Sequence, residues 1–214
     1  MRPRACFLLF GFFLLGFFLS GCPKKVVKAP PLEAPPTKAP VAVLLEAFSA
    51  AETLQSNASI RIETIRKGET TNIRVNGYVL YERPGKLRIL GYHPLGMSLF
   101  DALYVDGEFY VLNILQMKAY TGRLSEFEDI IEKAGLRIST EKTGESLVPT
   151  RVQIALDARK TRMDLRLKDV VLNASLPEGA FEWDVPKGVE VRPLSRFFKG
   201  SVSPEEDVPF PFLK

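Results

Sequence analysis

From Ser59 to about Leu115 the apolar residues recur at every second position, and this period limits the possible folds more than any other feature of the chain. Ile60 and Ile62 alternate with Arg61 and Glu63. Ile73, Val75, Val79 and Tyr81 alternate with Arg74, Asn76, Tyr78 and Leu80, and Leu87 and Ile89 with Arg88 and Leu90. Successive side chains of a strand point to opposite faces, so a period of two predicts β-strands. Turn residues separate the runs at Lys67-Gly68-Glu69, Arg83-Pro84-Gly85-Lys86 and His93-Pro94-Leu95-Gly96. Two more strands are expected near 98–105 and 108–115, joined by the hairpin dipeptide Asp106-Gly107. Strand after strand with short turns predicts an antiparallel meander.

The middle of that meander is apolar on both faces. Leu99, Leu103 and Val105 point one way, and Phe100, Ala102 and Tyr104 the other. Something therefore covers both sides, or one side faces a cavity. Two helices are expected. Residues 41–56 carry Val41, Leu44, Leu45, Phe48, Ala51 and Leu54 at helical spacing, ended by Ser56-Asn57. Residues 125–134 open on Ser125 with acids in the first turn, show the stripe Phe127, Ile130, Ile131 and Ala134, and close at Gly135. Residues 139–147 read as a polar loop. Strands resume with Val152, Ile154 and Leu156, then Met163, Leu165 and Leu167, and a late strand is expected at Phe181, Trp183 and Val185, continuing to Val189 and Val191.

The front of the chain is of another kind. Arg2 and Arg4 precede an apolar run from Ala5 to Leu19, and small residues follow at Ser20-Gly21, the pattern of a secretory signal peptide. Leu19-Ser20-Gly21-Cys22 resembles the lipobox of a bacterial lipoprotein. The resemblance implies a diacylglyceryl group on the Cys22 thiol, cleavage between Gly21 and Cys22, and acylation of the new amino terminus. Residues 22–40 then form a proline-rich tether with six prolines, which cannot pack and favours extended polyproline II geometry. The domain is expected over 41–194 and a Pro/Phe-rich tail over 195–214.

Cysteine usage agrees with this division. Cys6 leaves with the leader and Cys22 takes lipid, so the mature chain forms no internal disulfide. The 29 Lys and Arg are nearly balanced by 25 Asp and Glu, with signs mixed along every segment. That excludes the basic stripe of a nucleic-acid binder. No enzyme is indicated. His93, in a turn, is the one histidine, no cysteine is free, and no nucleophile elbow, phosphate loop or metal-ligand spacing occurs.

The order helix, meander, helix, strands resembles the lipoprotein-carrier superfamily of the LolA and LolB type. Val79 to Leu90 is similar to its early strand–turn–strand with an Arg-Pro-Gly-Lys turn. His93-Pro94-Leu95-Gly96 before an apolar strand and Asp106-Gly107 resembles the outer-membrane receptor branch, and Phe181 to Val189 resembles the closing aromatic–Val-Pro-x-Gly phrase. The resemblance implies a mainly β fold with α: a strongly curved antiparallel sheet, or half-barrel, covered by two or more helices. It implies an outer-membrane-anchored, periplasm-facing monomer that binds acyl chains of lipids or lipoproteins in an apolar cavity. Its partners would be membrane lipid through Cys22, a lipid or lipoprotein cargo, and a soluble periplasmic carrier. It implies no cofactor beyond the covalent lipid. Pro23 after Cys22, in place of Asp, agrees with outer-membrane sorting under the enterobacterial rule.

The cavity lining expected is Val79, Tyr81, Leu87, Ile89, Ile154, Leu156, Met163, Leu165, Leu167, Phe181 and Trp183. Pro94, Leu95, Gly96 and Met97 are expected to form a loop that dips into the bilayer or guides the cargo; the alternative makes Leu95 and Met97 buried corner residues. A second functional reading is a non-catalytic envelope scaffold or regulator on the same fold that binds a protein partner.

Overall fold

The computed structural model describes residues 40–66, 68–126 and 128–198; the leader, Cys22, most of the tether and the tail beyond Phe198 lie outside the described residues. All described residues belong to one unit, which begins at Pro35. It opens on helix α1 (Pro40–Phe48), continues through β1 (Thr53–Arg66), β2 (Glu69–Glu82), β3 (Lys86–Tyr92), β4 (Ser98–Val105), β5 (Glu108–Asn113) and β6 (Lys118–Arg123), and turns back through α2 (Glu128–Lys133). Then come β7 (Leu136–Glu141), β8 (Arg151–Leu156), β9 (Thr161–Leu172), β10 (Glu190–Pro193) and α3 (Leu194–Phe198).

The strands form one open ten-stranded sheet in the order β10-β6-β5-β4-β3-β2-β1-β9-β8-β7. The meander from β1 to β5 is as the alternation predicts, with β5 ending at Asn113; β6 is a further antiparallel strand that the alternation does not announce. The sheet is nonetheless mixed, because β10 pairs with β6 in parallel. A strand that returns by a long crossover can add to an edge in either direction, and nothing in its own four residues sets that direction.

Pairing carries one apolar face across the sheet. Leu54 stands opposite Tyr81, Tyr81 opposite Leu87, Leu87 opposite Tyr104, and Tyr104 opposite Phe109. On the other side of β1, Ile60 meets Leu165, Leu165 meets Val152, Met163 meets Ile154 and Ile154 meets Ile138. Gly77 and Gly91 are cross-strand neighbours on this face. A Cβ at Gly77 would lie 2.4 Å from Ile60 Cδ1, and one at Gly91 2.1 Å from Phe100 Cε1. The two glycines thus leave the space in which Ile60 and Phe100 lie down over the sheet.

The opposite face is covered at its centre by the connection from β9 to β10. Thr53 Oγ1 donates to the Ala174 carbonyl at 2.7 Å, Arg88 Nη1 to the Ala180 carbonyl at 2.9 Å, and the Trp183 ring sits 5.2 Å from that of Tyr110. Beneath this strap Leu80, Leu103 and Leu112 are buried. So the two-sided apolar centre of the meander has helices on one side and an irregular strap on the other.

Four sequence expectations change. The first helix ends at Phe48, not near Ser56, because Leu54, Ser56 and Ala58 pair with Tyr81, Val79 and Gly77 and the ladder overrides helical spacing. The second helix is shorter, Glu128–Lys133, behind a 3₁₀ turn at Leu124–Glu126; Phe127 lies outside the described residues. The polar loop begins later than 139, since β7 runs to Glu141 on the pairing of Thr140 with Val152. The late strand at 181–185 is absent: Phe181, Trp183 and Val185 lie in the strap, where Phe181 meets Lys86 and Trp183 meets Tyr110 instead of a ladder.

Candidate functional site

α1 starts on Pro40, whose missing N–H costs nothing at a first helical position. Nine residues do not sustain a helix alone in water, so α1 depends on the face it buries: Val41, Leu44 and Phe48. Phe48 packs on Tyr81 with ring centroids 5.6 Å apart. The Tyr81 hydroxyl is fully buried without a hydrogen-bond partner in the described residues, and burial pushes its pKa up.

Further along the apolar face the packing is incomplete. One core cluster gathers around Leu44, Ile60, Val79, Tyr81 and Leu165, and a second around Tyr120, Ile131, Leu194 and Phe198. Between them lies a cavity of about 160 Å³. Its roof is Val41 and Leu44 of α1, Ile131 of α2, and Leu194, Phe197 and Phe198 of α3. The sheet supplies Leu87 and Ile89, Ala102 and Tyr104, Phe109 and Val111, and on the far side Leu136, Ile138 and Ile154. No charged side chain lines it. Its chemistry is burial of apolar surface alone.

The expected lining divides into three. Leu87, Ile89 and Ile154 line the cavity. Val79, Tyr81, Leu165 and Leu167 share that face but are locked in the first cluster, with Met163 packed against it, and Leu156 sits in the second cluster. Phe181 and Trp183 are on the other face: Phe181 stacks under Lys86 Nζ at 5.6 Å, and Trp183 contacts Tyr110. Their correction follows from the missing strand, since without a ladder their alternation says nothing about sheet side.

The lining missed in the sequence had signals of its own. Leu136, Ile138 and Thr140 alternate with Arg137, Ser139 and Glu141, and Leu194, Phe197 and Phe198 stand at i, i+3 and i+4. The first run is short, and Phe197 and Phe198 of the second fall in the expected tail 195–214.

The loop after β3 is exposed, not a buried corner. Gly96 N donates to the His93 carbonyl at 2.7 Å and His93 N to the Met97 carbonyl at 2.8 Å, closing a tight turn with Gly96 at φ 87°. This turn holds Leu95 82% exposed and Met97 54% exposed. His93 is part of the turn, its Nδ1 accepting from Leu95 N at 3.2 Å. Asp101, which sequence proximity puts near it, is engaged by Arg88 at 3.1 and 2.6 Å. Among the described residues no group of three or more His, Cys, Asp and Glu is placed to hold a metal ion.

No protein-family model matches the chain, and no curated protein does. Solved structures with similar topology include a LolA superfamily protein from Nitrosomonas europaea, at 10% identity and TM-score 0.39, covering 66% of this chain and 96% of that one. A DUF1329 family protein from Desulfovibrio piger is similar at 10% identity and TM-score 0.37, over 70% of this chain and 98% of that one. A putative outer membrane lipoprotein-sorting protein domain from Vibrio parahaemolyticus is similar at 9% identity and TM-score 0.29, over 64% and 93%. At such identities and scores, the function of this chain has to be argued from its own cavity and surfaces.

Proposed function

We propose that the domain shelters an acyl chain of a lipid or lipoprotein in the cavity beneath α1, as a lipid-anchored protein of the bacterial envelope. One observation carries this reading: an uncharged, partly open gap of about 160 Å³ between two core clusters. Apolar voids of about this size stay dry and admit apolar guests. The gap is below the ~300–1,000 Å³ usual for ligand pockets, so a whole chain enters only if α1 shifts. Swinging out the N-terminal end of α1, with Phe48 left on Tyr81, takes Val41 and Leu44 off the sheet and forfeits about 1.5–3 kcal/mol each, or about 3–6 kcal/mol in all. At ~0.8 kcal/mol per buried methylene, about four to eight methylenes of a guest offset that, and the rest of the chain supplies affinity. α1 is the natural element to move, being short and directly continuous with the tether.

In this reading the sheet curls as a half-barrel around the guest, Cys22 carries the anchoring lipid, and the protein helps deliver lipoproteins to the outer membrane, receiving them from a soluble periplasmic carrier. The exposed Leu95 and Met97 meet the bilayer or the cargo. Leu95→Glu is expected to leave the fold unchanged, by circular dichroism, and to abolish lipoprotein insertion; normal insertion by a folded variant removes the role of the loop. The cavity itself is tested by native mass spectrometry of residues 35–214 purified from a lipid-containing host. A released mass matching phospholipid or fatty acid is expected. A bare protein mass, with no uptake of a fluorescent fatty acid, would refute the carrier reading in favour of the non-catalytic scaffold.

A further inference from the structure

We infer that the polar face of β1, β2, β9 and β8 is a docking site for the phosphate-bearing headgroups of an anionic membrane, centred on Arg61, Arg74 and Arg166. Register brings the three together. Arg61 stands opposite Arg74 on β2 and Asp164 on β9; Arg166 stands opposite Ser59 on β1 and Arg151 on β8. Like charges directly opposite across a ladder repel, and this face holds two such pairs, Arg61 with Arg74 and Arg166 with Arg151. The carboxylate in the recess, Asp164, accepts from Arg151 Nε at 2.9 Å and Nη2 at 2.5 Å, and it faces Arg61 and Arg166 as well, so one negative charge stands among four guanidinium groups. Arg61, Arg74 and Arg166 remain around a polar recess of about 170 Å³, completed by Ser59 and Asp164. All three are exposed, so an anion reaches them without unpacking the sheet. Guanidinium forks pair with phosphate oxygens in a bidentate way that relieves the repulsion between them.

Position favours a membrane over an isolated anion. Pairing of β2 with β3 ends at Asn76 and Tyr92, so the loop from His93 to Met97 leaves the sheet beside the stretch of β2 that bears Arg74. The exposed Leu95 and Met97 therefore emerge at the level of the arginines. Apolar side chains that enter the interface beside cations that meet headgroups make a two-part membrane contact. This inference rests on the reading of the domain as one that works at a membrane.

The test uses the mature chain, residues 22–214, made without its lipid and sedimented with vesicles. One set is phosphatidylcholine alone and the other is phosphatidylcholine mixed with phosphatidylglycerol. Tighter, salt-sensitive binding to the mixed vesicles is expected. A basic residue near an anionic surface is worth about a fivefold change in partition, so R61Q/R74Q/R166Q is expected to bind the mixed vesicles on the order of a hundredfold more weakly. Binding to phosphatidylcholine alone stays unchanged. Lys24, Lys25 and Lys28 of the tether are present in every variant, so the difference reports the sheet. Wild-type binding to mixed vesicles by the triple variant, or no binding by the parent chain to either set, overturns the inference. Leu95→Ser separates the two readings: equal weakening on both sets with no arginine effect leaves the loop and removes the headgroup site, and the reverse pattern does the opposite.

Discussion

Ala102→Leu should turn the cavity into core. Ala102 lies on β4 between Ile89 and Val111, its side chain on the cavity wall. Leucine adds three carbon atoms there. In a close-packed interior such an insertion costs about 1–3 kcal/mol through displaced neighbours. Here the space exists: about 160 Å³, close to the ~150 Å³ of an engineered cavity left by truncating a core side chain. Burying three more carbon groups at ~0.8 kcal/mol each then contributes as much as ~2.4 kcal/mol. Urea unfolding followed by Trp183 fluorescence should show a higher midpoint with an unchanged slope. Displacement of a fluorescent fatty acid should show weaker uptake, because the same volume no longer admits the guest. Lower stability together with unchanged uptake would refute both the empty volume and its role.

Three further outcomes follow from the packing and charges. Arg88→Met leaves the Asp101 carboxylate, 9% exposed, without its cation beneath the strap; a loss of about 3–5 kcal/mol in urea unfolding is expected, largely recovered by adding Asp101→Leu. Gly91→Ala drives a methyl group into the Phe100 ring, costing about 1–3 kcal/mol, and Phe100→Leu in the same chain should relieve most of it. The Arg151 guanidinium holds the Asp164 carboxyl below its ordinary pKa, so its stabilisation is complete above about pH 4 and fades as pH falls through the lowered value; acid unfolding of Asp164→Asn should lack that loss.

Much of the sheet was legible because a ladder writes itself into the chain as alternation. The β1–β5 meander, the hairpin at Asp106-Gly107 and the shared face of Val79, Tyr81, Leu87, Ile89, Ile154 and Leu165 follow from a period of two and from turn residues of restricted geometry. The failures lie where tertiary contacts outvote local pattern. Leu54 fits a helical stripe and a strand equally well, and only its pairing with Tyr81 and Leu172 decides. Phe181 and Trp183 alternate like a strand, yet no ladder receives them, so which side of the sheet they cover depends on Lys86 and Tyr110.

By itself, then, the sequence determined most strands of the meander and their alternation, because each depends on residues close together in the chain. The tertiary structure alone decided which face is roofed by helices, where two core clusters fail to meet and leave a cavity, and which arginines share one recess. Those are properties of register between segments as much as about a hundred residues apart, such as Arg61 and Asp164. A one-residue slip in that register would have sent every one of these side chains to the other side.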